Sequence, residues 1–252
     1  MNKPNHLKYL IQSNQFFTGL FFKTPSPIIA EVLSHTDLDV IVLDGEHAPF
    51  DPLIADHCIS IFRLAGKPVL TRPPSIRPEY IQYLLDSGSN GILAPHIYSA
   101  ERARELVDAC YYGSGKRGFS GATRAANFGQ KTMQEHLTSS SQNIAVIAML
   151  EDVGALENLE EILAVKGIDA FFIGRADLAA SFGELSVLDP QTMTATSRIL
   201  EAGKKKGIPI GMFSPTVEDA KYWKDQGAQF FLMGSDQAIL IKGANALAAQ
   251  LK

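Results

Sequence analysis

The chain has 252 residues, 46% of them hydrophobic and 20% charged, with a formal net charge of −4. This composition is globular, the length is close to the ~250 residues typical of an α/β barrel, and a disordered chain is excluded. With a pI near 5.9 and scattered basic residues, nothing electrostatic favours nucleic acid or an anionic membrane as a partner. The one basic run, Lys204-Lys205-Lys206, fits the solvated last turn of a helix.

From His6 to Phe22 apolar residues are interrupted by Lys8, Gln12, Asn14 and Gln15, so this stretch has neither a signal-peptide core nor a membrane span. A cytoplasmic protein is expected. Short runs rich in Ile, Val, Leu and Phe then recur as strand candidates buried on both faces: Phe17–Phe22, Asp39–Leu43, Pro68–Arg72, Gly91–Ala94, Ile144–Leu150, Ile168–Ile173, Pro209–Phe213 and Gln229–Met233. Between them lie helical patterns at Pro52–Leu64, Arg77–Leu85, Ala100–Cys110, Leu156–Ala164, Gln191–Lys206 and Val217–Gln226. Strand–helix alternation without a break in composition predicts one closed parallel (β/α)8 barrel, a single domain over 1–252.

Helix–Gly–strand junctions at Gly88, Gly207 and Gly227 read as helix C-caps, hence scaffold. The long connection Tyr111–Asn143, with Gly-Ser-Gly-Lys-Arg-Gly-Phe-Ser-Gly at 113–121, is irregular and expected to be functional or mobile. Cys58 and Cys110 lack metal-ligand spacing and read as small buried hydrophobes in a reducing compartment.

In this architecture the active site lies at the C-terminal ends of the strands. The second strand ends in Asp44-Gly45-Glu46-His47. Asp44 and Glu46 point the same way in extended chain, and a carboxylate beside His47 would fix its tautomer and make it a better base. A polar turn before a helix capped by Asp51 would also explain these residues. The third strand ends in Arg72-Pro73-Pro74, a planar cation suited to a carboxylate or enolate. The fifth ends at Glu151-Asp152 and the sixth runs into Gly174-Arg175-Ala176-Asp177-Leu178. Two carboxylates from neighbouring strand ends can share one hard cation, and the amides of the turn can receive an anion; Asp177 as a helix N-cap is the competing reading.

Asp86, near a helix C-terminus, opposes the helix dipole, so a partner such as His47 or Arg72 is expected unless the turn is simply solvated. His96 either faces the site or caps a helix. His57 reads as structural.

Glu46-His47 after a buried strand, Arg72 after Pro-Val-Leu-Thr, Asp86, Glu151 and Gly174-Arg175-Ala176-Asp177-Leu178, with Lys116-Arg117-Gly118 and Thr123-Arg124-Ala125 in the long loop, resemble the HpcH/HpaI class II aldolases over nearly the whole chain. The resemblance implies cleavage or formation of 4-hydroxy-2-oxo acids. Glu151 and Asp177 would hold Mg²⁺, Mn²⁺ or Co²⁺. The amides of Ala176 and Asp177, in the turn that begins at Gly174, would bind the substrate carboxylate. Arg72 would balance the enolate oxygen. The His47–Asp44 pair would move protons at the aldol hydroxyl through a water held by the ion, and Asp86 would come from, or organise, a subunit contact. A hexamer built from trimers with exchanged C-terminal helices is implied as well. No lysine ends a strand where a Schiff base would need it. Two positions depart from the family pattern: Met149, where Gln is common, and Arg175, where Pro is common; Arg175 is expected near the substrate carboxylate. The alternative on this scaffold is condensation of oxaloacetate with acetyl-CoA to give citrate, for which Lys116, Arg117 and Arg124 would form a basic rim.

Overall fold

The computed structural model describes residues 6–113 and 115–251; Ser114 of the long connection lies outside the described residues. Its elements run α1 (His6–Gln12), β1 (Phe17–Phe22), α2 (Pro27–Ser34), β2 (Val40–Asp44), α3 (Pro52–Ala65), β3 (Val69–Arg72), α4 (Pro78–Asp86), β4 (Gly91–Ala94) and α5 (Ala100–Cys110). A 3-10 turn (Arg124–Ala126) leads to α6 (Met133–Asn143), β5 (Ala145–Leu150), α7 (Val153–Glu157), α8 (Leu159–Leu163), β6 (Ala170–Ile173) and α9 (Arg175–Phe182). The chain ends with α10 (Pro190–Lys206), β7 (Ile210–Phe213), α11 (Val217–Asp225), β8 (Phe230–Ser235) and α12 (Asp236–Ala249). The strands close in sequence order into one barrel, all neighbours parallel, β8 returning to β1. This is the (β/α)8 architecture expected from the strand pattern.

Strand alternation sorts the apolar residues into two cores. Phe17, Phe21, Val40, Val42, Leu70, Leu93, Ile147, Met149, Phe172, Phe230 and Leu232 fill the barrel, and Leu7, Leu10 and Ile11 of α1 join them as a plug. Leu20, Ile41, Leu43, Val69, Val146, Phe171 and Ile173 face outward under the helices. Lys8 locks the plug: Nζ donates to the Ile144 carbonyl at 2.8 Å and pairs with Asp169 at 3.2 Å.

Polar side chains at the N-terminal face are scaffold. Asp39, Asn90, Asp169 and Gln229 each accept the backbone N–H of Thr18, Val69, Val146 and Ile210 at 2.8–2.9 Å, so four side chains repeat one splice between neighbouring strands. The long connection is more ordered than its sequence implies. It holds α6, opened by a capping box between Thr132 and Glu135, but α6 buries only His136 and Ser140 and therefore shows no apolar stripe. Cys58 and Cys110 are free and buried, and burial pushes their thiols up to about 11 and about 12. Among the described residues, no helix is long and apolar enough to cross a membrane.

Candidate active site

The alternation that fills the barrel also aims the polar residues at its C-terminal mouth. Asp44 continues the inward row of Val40 and Val42, Arg72 that of Leu70, Glu151 that of Ile147 and Met149, and Gly174 that of Phe172. Arg72 is the hub on the β2–β3 side. Its Nε and Nη2 donate to the two oxygens of Asp44 at 2.9 and 2.8 Å, and Nη1 lies 3.1 Å from Glu46 Oε2. The guanidinium also covers the Phe21 ring at 4.6 Å. Asp44 is fully buried and accepts the amides of Glu46 and His47 at 3.2 and 3.1 Å. Burial works to raise its pKa, but the hydrogen bonds and charge of Arg72 win and hold it below the usual carboxylate range.

The expected Asp44–His47 side-chain pair is therefore not formed. Asp44 is taken by Arg72 and meets only the backbone amide of His47. The His47 imidazole stands half-exposed at the rim, its Nε2 3.7 Å from Glu46 Oε2.

His96, which the sequence leaves open between two roles, links the two acidic halves of the mouth. Its backbone lies in the left-handed region at φ 55°, a conformation costing about 1 kcal/mol for a side chain of its kind. That turn aims its N–H at Glu151 Oε1, 2.8 Å away. Its ring reaches Asp152 at 3.3 Å, Glu151 at 3.5 Å and Glu46 at 3.5 Å. Burial disfavours the imidazolium, yet Glu151, Asp152 and Glu46 together raise its pKa.

Glu151 is 1% exposed, and its Oε2 has no hydrogen-bond partner among the described residues. Burial first, and then the charges of Asp177 and Glu46, push its carboxyl up to about 7. Gly174 lies directly against that oxygen, and a Cβ at this position would overlap Glu151 Oε2. Asp177 is exposed in the first turn of α9, whose N-cap is Gly174. Asp177 is thus no cap, and its negative charge acts on Glu151. The amides of Arg175, Ala176 and Asp177 belong to that first turn, where no helix carbonyl is available to them.

Three expectations need correction. Asp86 ends α4, at the N-terminal face of the barrel, and its partner is Arg117 (Nη2 at 2.6 Å) rather than His47 or Arg72. It lines an outer groove with Asp56, Gln82 and Arg124. Arg175 is buried away from the mouth: it donates to both oxygens of Asp219 at 2.9 and 2.7 Å and stacks over Trp223 at 5.0 Å, joining α9 to α11. Nor do Lys116, Arg117 and Arg124 stand together as a basic rim: Lys116 pairs with Asp108, Arg117 is buried against Asp86 and Arg124 pairs with Asp56. Conversely, a lysine does stand at the mouth. Lys23 follows β1 in the inward row of Phe17 and Phe21, and its Nζ is 3.8 Å from Asp44 Oδ2.

A closed parallel barrel with a buried, unsatisfied carboxylate, two cations and two imidazoles at its C-terminal mouth defines an enzyme of the (β/α)8 class. The sequence profile of the HpcH/HpaI aldolase/citrate lyase family matches residues 18–243, and the chain belongs to that family. It is 34% identical, over 99% of its length and 97% of the relative's, to 5-keto-4-deoxy-D-glucarate aldolase of Enterobacter sp. (strain 638). Among solved structures it resembles an HpcH/HpaI aldolase/citrate lyase family protein from Burkholderia cenocepacia J2315, with TM-score 0.93, 29% identity and coverage of 98% of this chain and 99% of that one. It also resembles the citrate synthase SbnG, with TM-score 0.87, 26% identity and coverage of 97% and 96%. The chain is a carbon–carbon lyase.

Proposed function

We propose that this enzyme is a divalent-metal-dependent aldolase that cleaves or forms 4-hydroxy-2-oxo acids through the enolate of pyruvate or oxaloacetate. The observation that carries this reading is Glu151: a buried carboxylate, one oxygen unpartnered, its pKa raised, with a second carboxylate nearby on Asp177. An oxygen so placed needs a cation, and an all-oxygen donor set suits Mg²⁺, Mn²⁺ or Co²⁺. Among the described residues no group of three His, Cys, Asp or Glu is placed to hold a metal, so the two carboxylates would leave other positions to water and substrate oxygens. Bound there, the ion would supply Lewis-acid polarisation of the 2-oxo group.

The chain's own groups do the rest. The amides of Ala176 and Asp177, at the start of α9, receive the substrate carboxylate. Arg72, rigid in its bonds to Asp44 and Glu46, keeps further N–H groups for the oxygen that becomes negative as the carbon–carbon bond breaks. His47, at the rim beside Glu46, is placed to move the proton of the aldol hydroxyl. Met149, directly below Glu151 on the inward face of β5, makes the floor of the pocket apolar. The keto-deoxy sugar acid for which the relatives are named is the first substrate to try. With Mg²⁺ or Mn²⁺ the protein is expected to exchange the methyl protons of pyruvate for deuterium, and a chelator to stop it; NMR reads both. Exchange that proceeds undiminished after chelation would overturn the metal-dependent reading.

We further propose that the protein is a homo-oligomer joined through α12, with Asp86 in the outer groove available to a subunit contact. In α12 only Asp236 is buried, while Ile239, Leu240, Ile241 and Leu247 are more than half exposed, an apolar surface that needs a partner in water. A mass near the 27.4 kDa of one chain in light scattering would refute this.

A further inference from the structure

Lys23 is the cation the proposed chemistry leaves unused. Its side chain is 29% exposed, and no acceptor among the described residues lies within hydrogen-bonding distance of Nζ; its nearest charge is Asp44 at 3.8 Å. Arg72 already bonds both oxygens of Asp44, and the amides of Glu46 and His47 both add to Oδ1. The Lys23 charge adds a smaller share than Arg72 to the stabilisation of the Asp44 carboxylate, and its ammonium keeps its hydrogen-bond donors free. Lys23 is not a loose surface side chain. Its backbone N–H donates to Asp236 Oδ1 at 2.7 Å, and the next N–H, that of Thr24, to Oδ2 at 3.1 Å, so the start of α12 clamps the residue in place.

The position of this ammonium decides what it can touch. Lys23 rises from the end of β1, four strands away from β5 in a barrel of eight, and so across the mouth from Glu151. A substrate whose 2-oxo acid end sits at Glu151 and α9 must extend past Arg72 toward β1. The wall there is formed by Phe21 and Phe213, whose rings are 6.3 Å apart, and above Phe21 the next inward residue is Lys23. An apolar wall topped by one ammonium with free donors matches a short carbon chain that ends in an anion.

We propose that Lys23 is a specificity-determining residue that binds a carboxylate on the acceptor half of the substrate, the half that departs as the aldehyde. The enzyme then prefers aldehydes bearing an acid group over neutral ones. This rests on the aldolase reading above.

The experiment measures kcat/KM for aldol addition of pyruvate to two acidic aldehydes, glyoxylate and succinic semialdehyde, and to two neutral ones, glycolaldehyde and butyraldehyde, in the unmodified enzyme, Lys23→Met and Lys23→Arg. A charge-assisted contact of this kind corresponds to a change on the order of tenfold to a hundredfold. Lys23→Met is expected to reduce the acidic-to-neutral ratio by that factor, and Lys23→Arg to restore most of it. A ratio that Lys23→Met leaves unchanged overturns the proposal, as does an unmodified enzyme without preference for the acidic aldehydes. Pyruvate deuterium exchange in the unmodified enzyme, which involves no aldehyde, separates the two levels: absence of exchange overturns the aldolase reading itself, whereas exchange with an unchanged ratio overturns only the role of Lys23.

Discussion

Glu151→Gln is expected to lower metal-dependent deuterium exchange into pyruvate at least about a thousandfold, since the Lewis acid is asked for several kcal/mol of transition-state stabilisation. The same substitution should stabilise the metal-free fold, which a purely structural role for Glu151 does not predict. The carboxyl's pKa in the folded protein is pushed up to about 7, above the 4.5 of a glutamate in the unfolded chain. Between those two values the folded state holds the proton more tightly, so ionisation of Glu151 destabilises the fold progressively as pH rises, and the penalty is complete above about 7. Its size is on the order of 3 kcal/mol. Glutamine keeps the shape and the hydrogen bond from His96 and removes the charge. In the presence of chelator, Glu151→Gln should therefore melt above the unmodified protein at pH 8 and level with it below pH ~4.5. Adding Mg²⁺ should raise the melting temperature of the unmodified protein and leave that of the variant unmoved. Asp177→Asn, at an exposed position, should lose the exchange and the Mg²⁺ response without any gain in metal-free stability. Normal exchange in either variant removes that residue from the metal site.

Much of this architecture was legible in the chain because the barrel alternates with a period of two. Once Val40, Val42 and Asp44, or Ile147, Met149 and Glu151, are read as one inward row, the polar residue at the end of the row has to face the mouth. Partners were less legible. Asp44 and His47 look like a pair along the chain, but the nearest strong donor to Asp44 comes from the next strand, and Arg72 offers a two-point match that an imidazole cannot. Asp86 and Arg175 have the same history: each is charged and near a promising motif, and each is claimed by an opposite charge from far along the chain, Arg117 and Asp219. Lys23 went unread because it lies one residue past an apolar strand and carries no motif. The role of His96 depends on a left-handed turn that no pattern of residue types announces. Helix α12 is hidden for another reason, since a helix with exposed apolar residues on several sides has no stripe to detect.

Arg72→Lys is expected to reduce kcat on the order of a thousandfold with a much smaller change in KM, because the group acts on charge that develops in the transition state. Lysine retains the positive charge, so any loss reports geometry. The guanidinium makes three directed contacts at once, two with Asp44 and one with Glu46, and lies over the Phe21 ring. An ammonium has neither the plane nor the fork, and would leave at least one oxygen of the fully buried Asp44 without its donor. That exposes the fold to a cost of about 3 kcal/mol, readable as a lower urea midpoint at unchanged slope. Stability and activity can be separated by adding Asp44→Asn. If Arg72 is destabilised in the lysine variant mainly through the orphaned carboxylate, the double variant regains part of the urea midpoint, because the buried charge is gone. Its kcat should stay low, because no planar donor has returned to the mouth. A lysine variant with near-normal kcat, or a double variant that recovers turnover along with stability, would show that Arg72 holds the site together without acting on the substrate.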